Sequence, residues 1–142
     1  MLPTSLTTVE RWSLSLLAGG LSVMLGVAAW LTPSPDGIGT HQQLGLPACT
    51  AILIFGIRCP ACGMTTSWAW MMEGGFAEAI RVNVAGVMLF LVAFTSIPWL
   101  LWNAWRGERR GHMLWTQFAI LGVVIALMIA LILWAAQFVP NR

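Results

Sequence analysis

The sequence predicts an all-α membrane protein with three transmembrane helices and, between the first and second, a re-entrant or interfacial hairpin that carries a Cys-Pro-x-Cys motif. The composition supports this class. Hydrophobic residues make up 58% of the chain and charged residues only 8%, whereas a soluble domain has about 25% charged residues. The chain also has nine tryptophans, and indole rings favour the boundary between lipid and water.

Three apolar stretches are long enough to cross a bilayer: residues 12–31, 84–105 and 114–138. The shortest has 20 residues, which corresponds to about 30 Å of helix, the thickness of a hydrocarbon core. Tryptophans lie near the ends of all three: Trp12, Trp30, Trp99, Trp102, Trp105, Trp115 and Trp134. We therefore expect residues 1–142 to form a single membrane domain.

The segment before the second span contains the predicted hairpin, residues 47–72. Arg58 is the only charge in the first 26 residues from Pro47. A fourth full span is the alternative, but it would place Arg58, Pro60 and Gly63 in the middle of the bilayer, where a charge and irregular backbone are costly. Three spans are favoured for that reason.

The orientation follows from the positive charges. Three arginines lie in the short connection from Arg106 to His112, and short positive loops stay in the cytoplasm. With three spans, the N-terminus and Arg11 are then also cytoplasmic. The cysteine hairpin is predicted on the outer side, where thiols are more readily oxidised.

The motif Cys59-Pro60-Ala61-Cys62-Gly63 is the main concentration of chemistry. Proline is common in the first turn of a helix, so the pattern predicts that Cys59 lies at or near a helix N-terminus. The helix end and Arg58 would both stabilise a thiolate. On this interpretation the site catalyses thiol–disulfide exchange, with Cys59 attacking and Cys62 resolving the mixed disulfide.

Two other interpretations of the same cysteines remain open. Cys49, Cys59, Cys62 and His41 together form a possible Cys₃His ligand set for zinc or copper. Alternatively, the cluster is a structural disulfide within a non-enzymatic module that binds a membrane partner. We expect one disulfide and one free thiol, with the Cys59–Cys62 bond favoured over a bond to Cys49. Whether the protein is an enzyme stays open.

Two polar residues near the motif have predicted structural roles. The hydroxyl of Thr65, in the first turn after the motif, is expected to cap backbone groups. Asn83 directly precedes the second span and is expected to cap it.

The partners expected from the sequence are the lipid bilayer and another helix. Ala18, Ser22 and Gly26 form a face of small residues on the first span, which suits close helix packing, within the chain or with a membrane-protein partner. A nucleic-acid surface is not expected, because the net charge is only +2 and no basic run is interleaved with aromatic residues.

Residues 43–49, 56–65 and 73–83 together resemble a bacterial family of small membrane proteins, domain of unknown function 2752. The family pattern has a lone cysteine, a Gly-x-x-Cys-Pro-x-Cys-Gly-x-Thr core and an Asn before the next membrane helix. Its positions correspond here to Cys49, Cys59, Pro60, Cys62, Gly63, Thr65 and Asn83. The family usually has Arg after the motif threonine, where this chain has Thr66. The resemblance implies that any role of that arginine is lost or passes to Arg58. It implies no particular reaction.

Overall fold

The computed structural model describes residues 5–108 and 112–138, with the side chains of residues 112 and 113 outside the description. These residues form six α-helices and a 3-10 helix. The elements are α1 (Thr8–Trp30), the 3-10 helix (Thr40–Leu44), α2 (Thr50–Phe55), α3 (Met64–Glu73), α4 (Phe76–Val82), α5 (Val84–Arg106) and α6 (His112–Ala136). The all-helical prediction is confirmed for the described residues, in which Ser5 and Glu108 form an isolated bridge.

Three helices are long and apolar enough to cross a membrane, namely α1, α5 and α6. The cysteines lie between the first and second of them, as predicted. This architecture indicates a multi-pass membrane protein. The helices of the intervening segment are much shorter, and the longest, α3, has ten residues, too few to span a hydrocarbon core.

Helix α1 begins earlier than the apolar pattern predicts, at Thr8 rather than residue 12. The cause is a capping box. The Thr7 hydroxyl accepts a hydrogen bond from the Glu10 backbone N–H at 3.3 Å, and the Glu10 carboxylate accepts one from the Thr7 N–H at 2.9 Å. These bonds satisfy amides that the helix itself leaves free.

Helix α5 is central to the packing, since it contacts both α1 and α6. The apolar window of α5 is 33% buried, whereas that of α6 is only 6% buried. Most of the α6 surface is therefore available to lipid. Leu25, Met71, Ala79 and Phe90 form a buried cluster that joins α1, α3, α4 and α5 beside the cysteine segment.

The start of α1 and the end of α5 lie together. The Leu6 N–H donates to the Gly107 carbonyl at 2.8 Å, and Nε of Arg11 donates to the Ala104 carbonyl at 2.8 Å. The N-terminal end of α1 is thus on the same face as the beginning of the arginine-rich connection. Arg109 and Arg110, on which the predicted orientation depends, lie outside the described residues.

The small-residue face of α1 is divided between two environments. Ala18 is buried, whereas Ser22 and Gly26 are exposed, and the Ser22 hydroxyl donates to the Ala18 carbonyl at 2.8 Å. Ala18 therefore packs within the chain. Contact of the exposed pair with a partner helix stays a prediction.

Candidate thiol and metal site

The sulfurs of all three cysteines converge. Sγ of Cys59 lies 3.2 Å from Sγ of Cys62, which lies 3.5 Å from Sγ of Cys49. All three sulfurs are within 4.8 Å of one another. Cys62 is thus the central thiol, in contact with both neighbours.

A tight turn brings the Cys-Pro-x-Cys sulfurs together. The Cys62 N–H donates to the Cys59 carbonyl at 3.0 Å, which closes a turn with Pro60 at its second position. Proline suits that position because its ring fixes φ. The Cys59 N–H also points to the Cys62 sulfur, at 3.3 Å.

The predicted position of Cys59 at a helix N-terminus is wrong. Helix α3 begins at Met64, and its N-cap is Gly63, which has a left-handed φ of 81°. The left-handed φ of Gly63 separates the cysteine turn from the helix, so Cys59 lies four residues before the N-cap rather than at it. Cys49 instead occupies an N-cap, that of the short helix α2.

The thiols at Cys49 and Cys62 have opposite electrostatic environments. The pKa of Cys49 is lowered to about 7, first by a hydrogen bond from the Ile52 backbone and then by the Cys62 and Cys59 side chains. The pKa of Cys62 is raised to about 12, first by burial and then by the thiols of Cys59 and Cys49. As pH rises through neutrality, Cys49 therefore ionises while Cys62 keeps its proton.

Asn83 anchors the cysteine turn to the membrane helix α5. Its Oδ1 accepts a hydrogen bond from the Gly86 N–H at 2.8 Å, which is the predicted helix cap. Its Nδ2 donates to the Cys62 carbonyl at 3.1 Å. One amide side chain therefore satisfies the first turn of α5 and fixes the position of Cys62.

The thiols open onto a cavity of about 350 Å³. Its wall includes His41, Cys49, Cys59, Cys62, Thr65 and Thr66. His41 lies in this wall, with Nε2 3.1 Å from the Pro47 carbonyl oxygen. Among the described residues, the group of convergent ligand atoms consists of the three cysteines, so His41 is near the predicted ligand set without joining it.

A buried pair of hydroxyls supports the cavity wall, and sequence reasoning missed it. Oγ1 of Thr40 and Oγ1 of Thr66 are 2.8 Å apart, and the two residues are 0% and 1% exposed. Thr40 also accepts a hydrogen bond from the Ser34 N–H at 3.0 Å. No local pattern pairs residues so far apart in sequence. The N-cap of α3 is Gly63, which has no side-chain cap hydrogen bond, and capping by the Thr65 hydroxyl stays a prediction.

The predicted disulfide is not seen in this structure. All three cysteines are free, and the shortest sulfur–sulfur distance, 3.2 Å, is well above the roughly 2.05 Å of a bond. Pairing of two of these thiols under oxidation stays a prediction.

Comparison with known families supports the motif-based interpretation. Residues 49–97 match the model of a family described as protein of unknown function (DUF2752). The match begins at Cys49 and continues into α5, so it includes all three cysteines and Asn83. This confirms the resemblance predicted from the cysteine motif. Neither the curated proteins nor the solved structures include a significant match to the chain.

Proposed function

We propose that the protein is a membrane-embedded module whose three cysteines bind one soft metal ion, Zn²⁺ or Cu⁺. The observation that carries this proposal is the convergence of three sulfurs within 4.8 Å of one another. Thiolates are the ligands that select these two ions.

The sulfur separations fit a common metal ion. Three thiolates bound tetrahedrally to one Zn²⁺ at about 2.3 Å lie about 3.8 Å apart. The two contacts at 3.2 and 3.5 Å and the upper limit of 4.8 Å are on either side of that value.

The fourth ligand would distinguish the two ions. Zn²⁺ in structural sites is almost always four-coordinate, and His41 lines the same cavity as the cysteines. When Nε2 of His41 donates its proton to the Pro47 carbonyl, Nδ1 carries the lone pair, an arrangement typical of metal-bound histidines. We propose His41 as the fourth ligand of a zinc site, whereas Cu⁺ would need only the three sulfurs.

Elemental analysis of the purified protein tests this proposal. We expect one zinc or copper per chain, lost when Cys49, Cys59 or Cys62 is individually replaced by Ser. Thr65→Ala, a change in the same cavity wall, is the matched control and should retain the metal. His41→Ala should weaken zinc retention but not copper retention. Metal content of the wild type no higher than that of the triple Cys→Ser variant would refute the proposal.

Thiol–disulfide exchange is the second candidate, favoured by the unequal thiols. The Cys49 thiolate would attack a disulfide of a partner and release one partner thiolate. The Cys62 thiol, 3.5 Å away, would then lose its proton and attack the mixed disulfide at Cys49, releasing the second thiolate. The partner disulfide gains two electrons and the protein becomes a Cys49–Cys62 disulfide. The Cys59 thiolate can then attack the sulfur of Cys62 and release Cys49 as a thiolate.

Trapping distinguishes this mechanism from the one predicted from sequence. In Cys62→Ser, a mixed disulfide with an added small-molecule disulfide should accumulate on Cys49, because the resolving thiol is missing. Cys59→Ser should still react at Cys49. Accumulation on Cys59 instead would restore the sequence-based assignment, and no adduct on any cysteine would exclude exchange.

We further propose that the N-terminus is cytoplasmic and that the cysteine site lies on the outer side of the membrane. The start of α1 and the end of α5 lie at the same side of the membrane domain. This supports a topology in which α5 crosses the membrane once between the cysteine segment and the arginine connection. Single cysteines introduced at Pro3 or Asp36 in a variant lacking the native cysteines test this with an impermeant thiol reagent. We expect labelling from outside at Asp36→Cys. Labelling at Pro3→Cys would reverse the orientation.

A further inference from the structure

A second cleft lies beside the cysteine turn, between the α4–α5 junction and the end of α6. Its volume is about 310 Å³, and its wall includes Arg58, Pro60, Arg81, Asn83, Leu133 and Trp134. We propose that this cleft binds a membrane lipid through an acidic phosphate headgroup. Cys59 and Cys62 also line this cleft, but the proposal goes beyond the thiol function because it is argued from the arginines and from α6.

The charge of the cleft is positive and uncompensated. Arg58 and Arg81 both line it and both are exposed. Neither guanidinium forms a hydrogen bond or an ion pair with a described residue. The acidic residue nearest to Arg81 in sequence, Glu78, is not part of the wall. Two free arginines in one cleft favour a phosphate, whose oxygens match the planar donors of guanidinium.

The cleft lies at the level of lipid headgroups. Helix α5 begins at Val84 and α6 ends at Ala136, and both ends contribute to this region. Arg81 is three residues before the start of α5, and Trp134 is in the last turn of α6. The ends of membrane helices mark the edge of the hydrocarbon core, where tryptophan is enriched. A lipid phosphate would therefore reach both arginines without leaving its normal depth.

The opposite wall is apolar and belongs to the helix that faces lipid. Ala130, Leu133 and Trp134 of α6 line the cleft, and only 6% of the apolar window of α6 is buried. Acyl chains can lie along this helix while the headgroup occupies the cleft. The indole ring of Trp134 adds to this apolar wall, and its Nε1 is buried without a hydrogen-bond partner among the described residues.

The combination of basic and apolar walls favours a lipid over a small free anion. Arginine alone would bind inorganic phosphate and a lipid phosphate alike. The apolar wall adds binding only for a ligand with chains. Basic pockets between membrane helices on the cytoplasmic side of membranes bind acidic lipid headgroups, and this cleft combines the same basic and apolar walls.

Native mass spectrometry of the delipidated, detergent-solubilised protein tests the proposal. The probes are dioleoylphosphatidylglycerol and dioleoylphosphatidylcholine, added separately. We expect preferential retention of phosphatidylglycerol. Each arginine near a membrane surface contributes a factor of about five in affinity for acidic lipid, so Arg58→Gln with Arg81→Gln should weaken binding about thirtyfold. The corresponding double Lys variant, which keeps both charges, should restore most of it.

Arg106→Gln is the matched control, because it removes one arginine charge at the other end of α5. It should leave phosphatidylglycerol binding unchanged. If the double variant does not fold, the single variants Arg58→Gln and Arg81→Gln should each show the fivefold loss. Equal retention of both lipids by the wild type, or an equal loss in Arg106→Gln, would overturn the proposal. Inorganic phosphate that binds as tightly as the lipid would overturn the assignment to a lipid.

Discussion

Gly63→Ala should destabilise the cysteine turn strongly, because two independent costs coincide at this position. The φ of Gly63 is +81°, in the left-handed region. A Cβ there would also lie 2.7 Å from the Gly37 carbonyl oxygen and 2.8 Å from Cγ1 of Val82. The Val82 methyl can rotate away, but the Gly37 oxygen belongs to the backbone and cannot move without displacing the loop before the 3-10 helix.

The magnitude follows from adding the two costs. A non-glycine residue in the left-handed region costs about 1–2 kcal/mol, and forcing an extra carbon into a packed site costs about 1–3 kcal/mol. Gly63→Ala should therefore lower the free energy of unfolding by about 2–5 kcal/mol. Gly74→Ala is a matched control, since Gly74 has nearly the same φ, +84°, but nothing within 4 Å of its added Cβ. It should show only the first cost.

Unfolding in mixed micelles of increasing SDS content, followed by tryptophan fluorescence, measures both variants. The difference between them isolates the contact with Gly37 and Val82. Alkylation of Cys62 in the folded protein gives a second measurement, because displacement of the turn should further expose this half-buried thiol in Gly63→Ala but not in Gly74→Ala. Equal losses of stability in the two variants would refute the argument from packing.

Three further predictions follow from the site. Alkylation of Cys49 should increase with pH and reach half its maximum near pH 7, because only the thiolate reacts and the pKa of Cys49 is lowered to about 7. Cys62 should stay unreactive at that pH. Mass spectrometry of the labelled peptides measures both. Asn83→Ala should cost about 1 kcal/mol for the lost helix cap and loosen Cys62, whereas Asn83→Asp should keep the cap and lose only the bond to the Cys62 carbonyl, measured by SDS unfolding and thiol labelling. Thr40→Val should cost about 1–3 kcal/mol by leaving the Thr66 hydroxyl unpaired. The double variant, Thr40→Val with Thr66→Val, should be less destabilised than the sum of the two single variants, and simple additivity of the two losses would contradict the pairing.

The membrane helices could be predicted because length and apolarity alone define them. No specific partner is needed to stabilise an apolar helix in lipid, so the pattern in the sequence is nearly sufficient. The predicted helix boundaries are less accurate where a polar cap extends the helix beyond its apolar stretch, as at the start of α1. The Thr7–Glu10 capping box was a local signal, Thr-x-x-Glu, that places the start of α1 before Trp12.

The chemistry of the site was only partly predictable, because it depends on backbone geometry. The sequence identified Cys49, Cys59 and Cys62 as one group, and the structure brings their sulfurs together. It assigned the reactive thiolate to Cys59 on the assumption that the helix begins at the motif. The left-handed φ of Gly63 delays the helix by several residues, and no rule of sequence spacing distinguishes a glycine inside a helix start from one that precedes it.

The two candidate functions compete for the same sulfurs, and the central thiol determines the competition. Cys62 contacts both other sulfurs, so a disulfide from Cys62 to either neighbour removes two of the three metal ligands at once. Its raised pKa, about 12, means that a metal ion must displace its proton throughout the neutral range. Metal affinity should therefore fall about tenfold for each unit of decreasing pH on account of Cys62 alone, and more steeply below about pH 7, where Cys49 also binds a proton. Oxidation and acid would each release a bound metal, but only oxidation would leave the protein with a single free thiol, too few ligands to bind the metal again. Metal retention measured against pH in the reduced protein, and against oxidant at fixed pH, thus separates a metal site that is sensitive to redox state from a disulfide exchanger that binds metal incidentally.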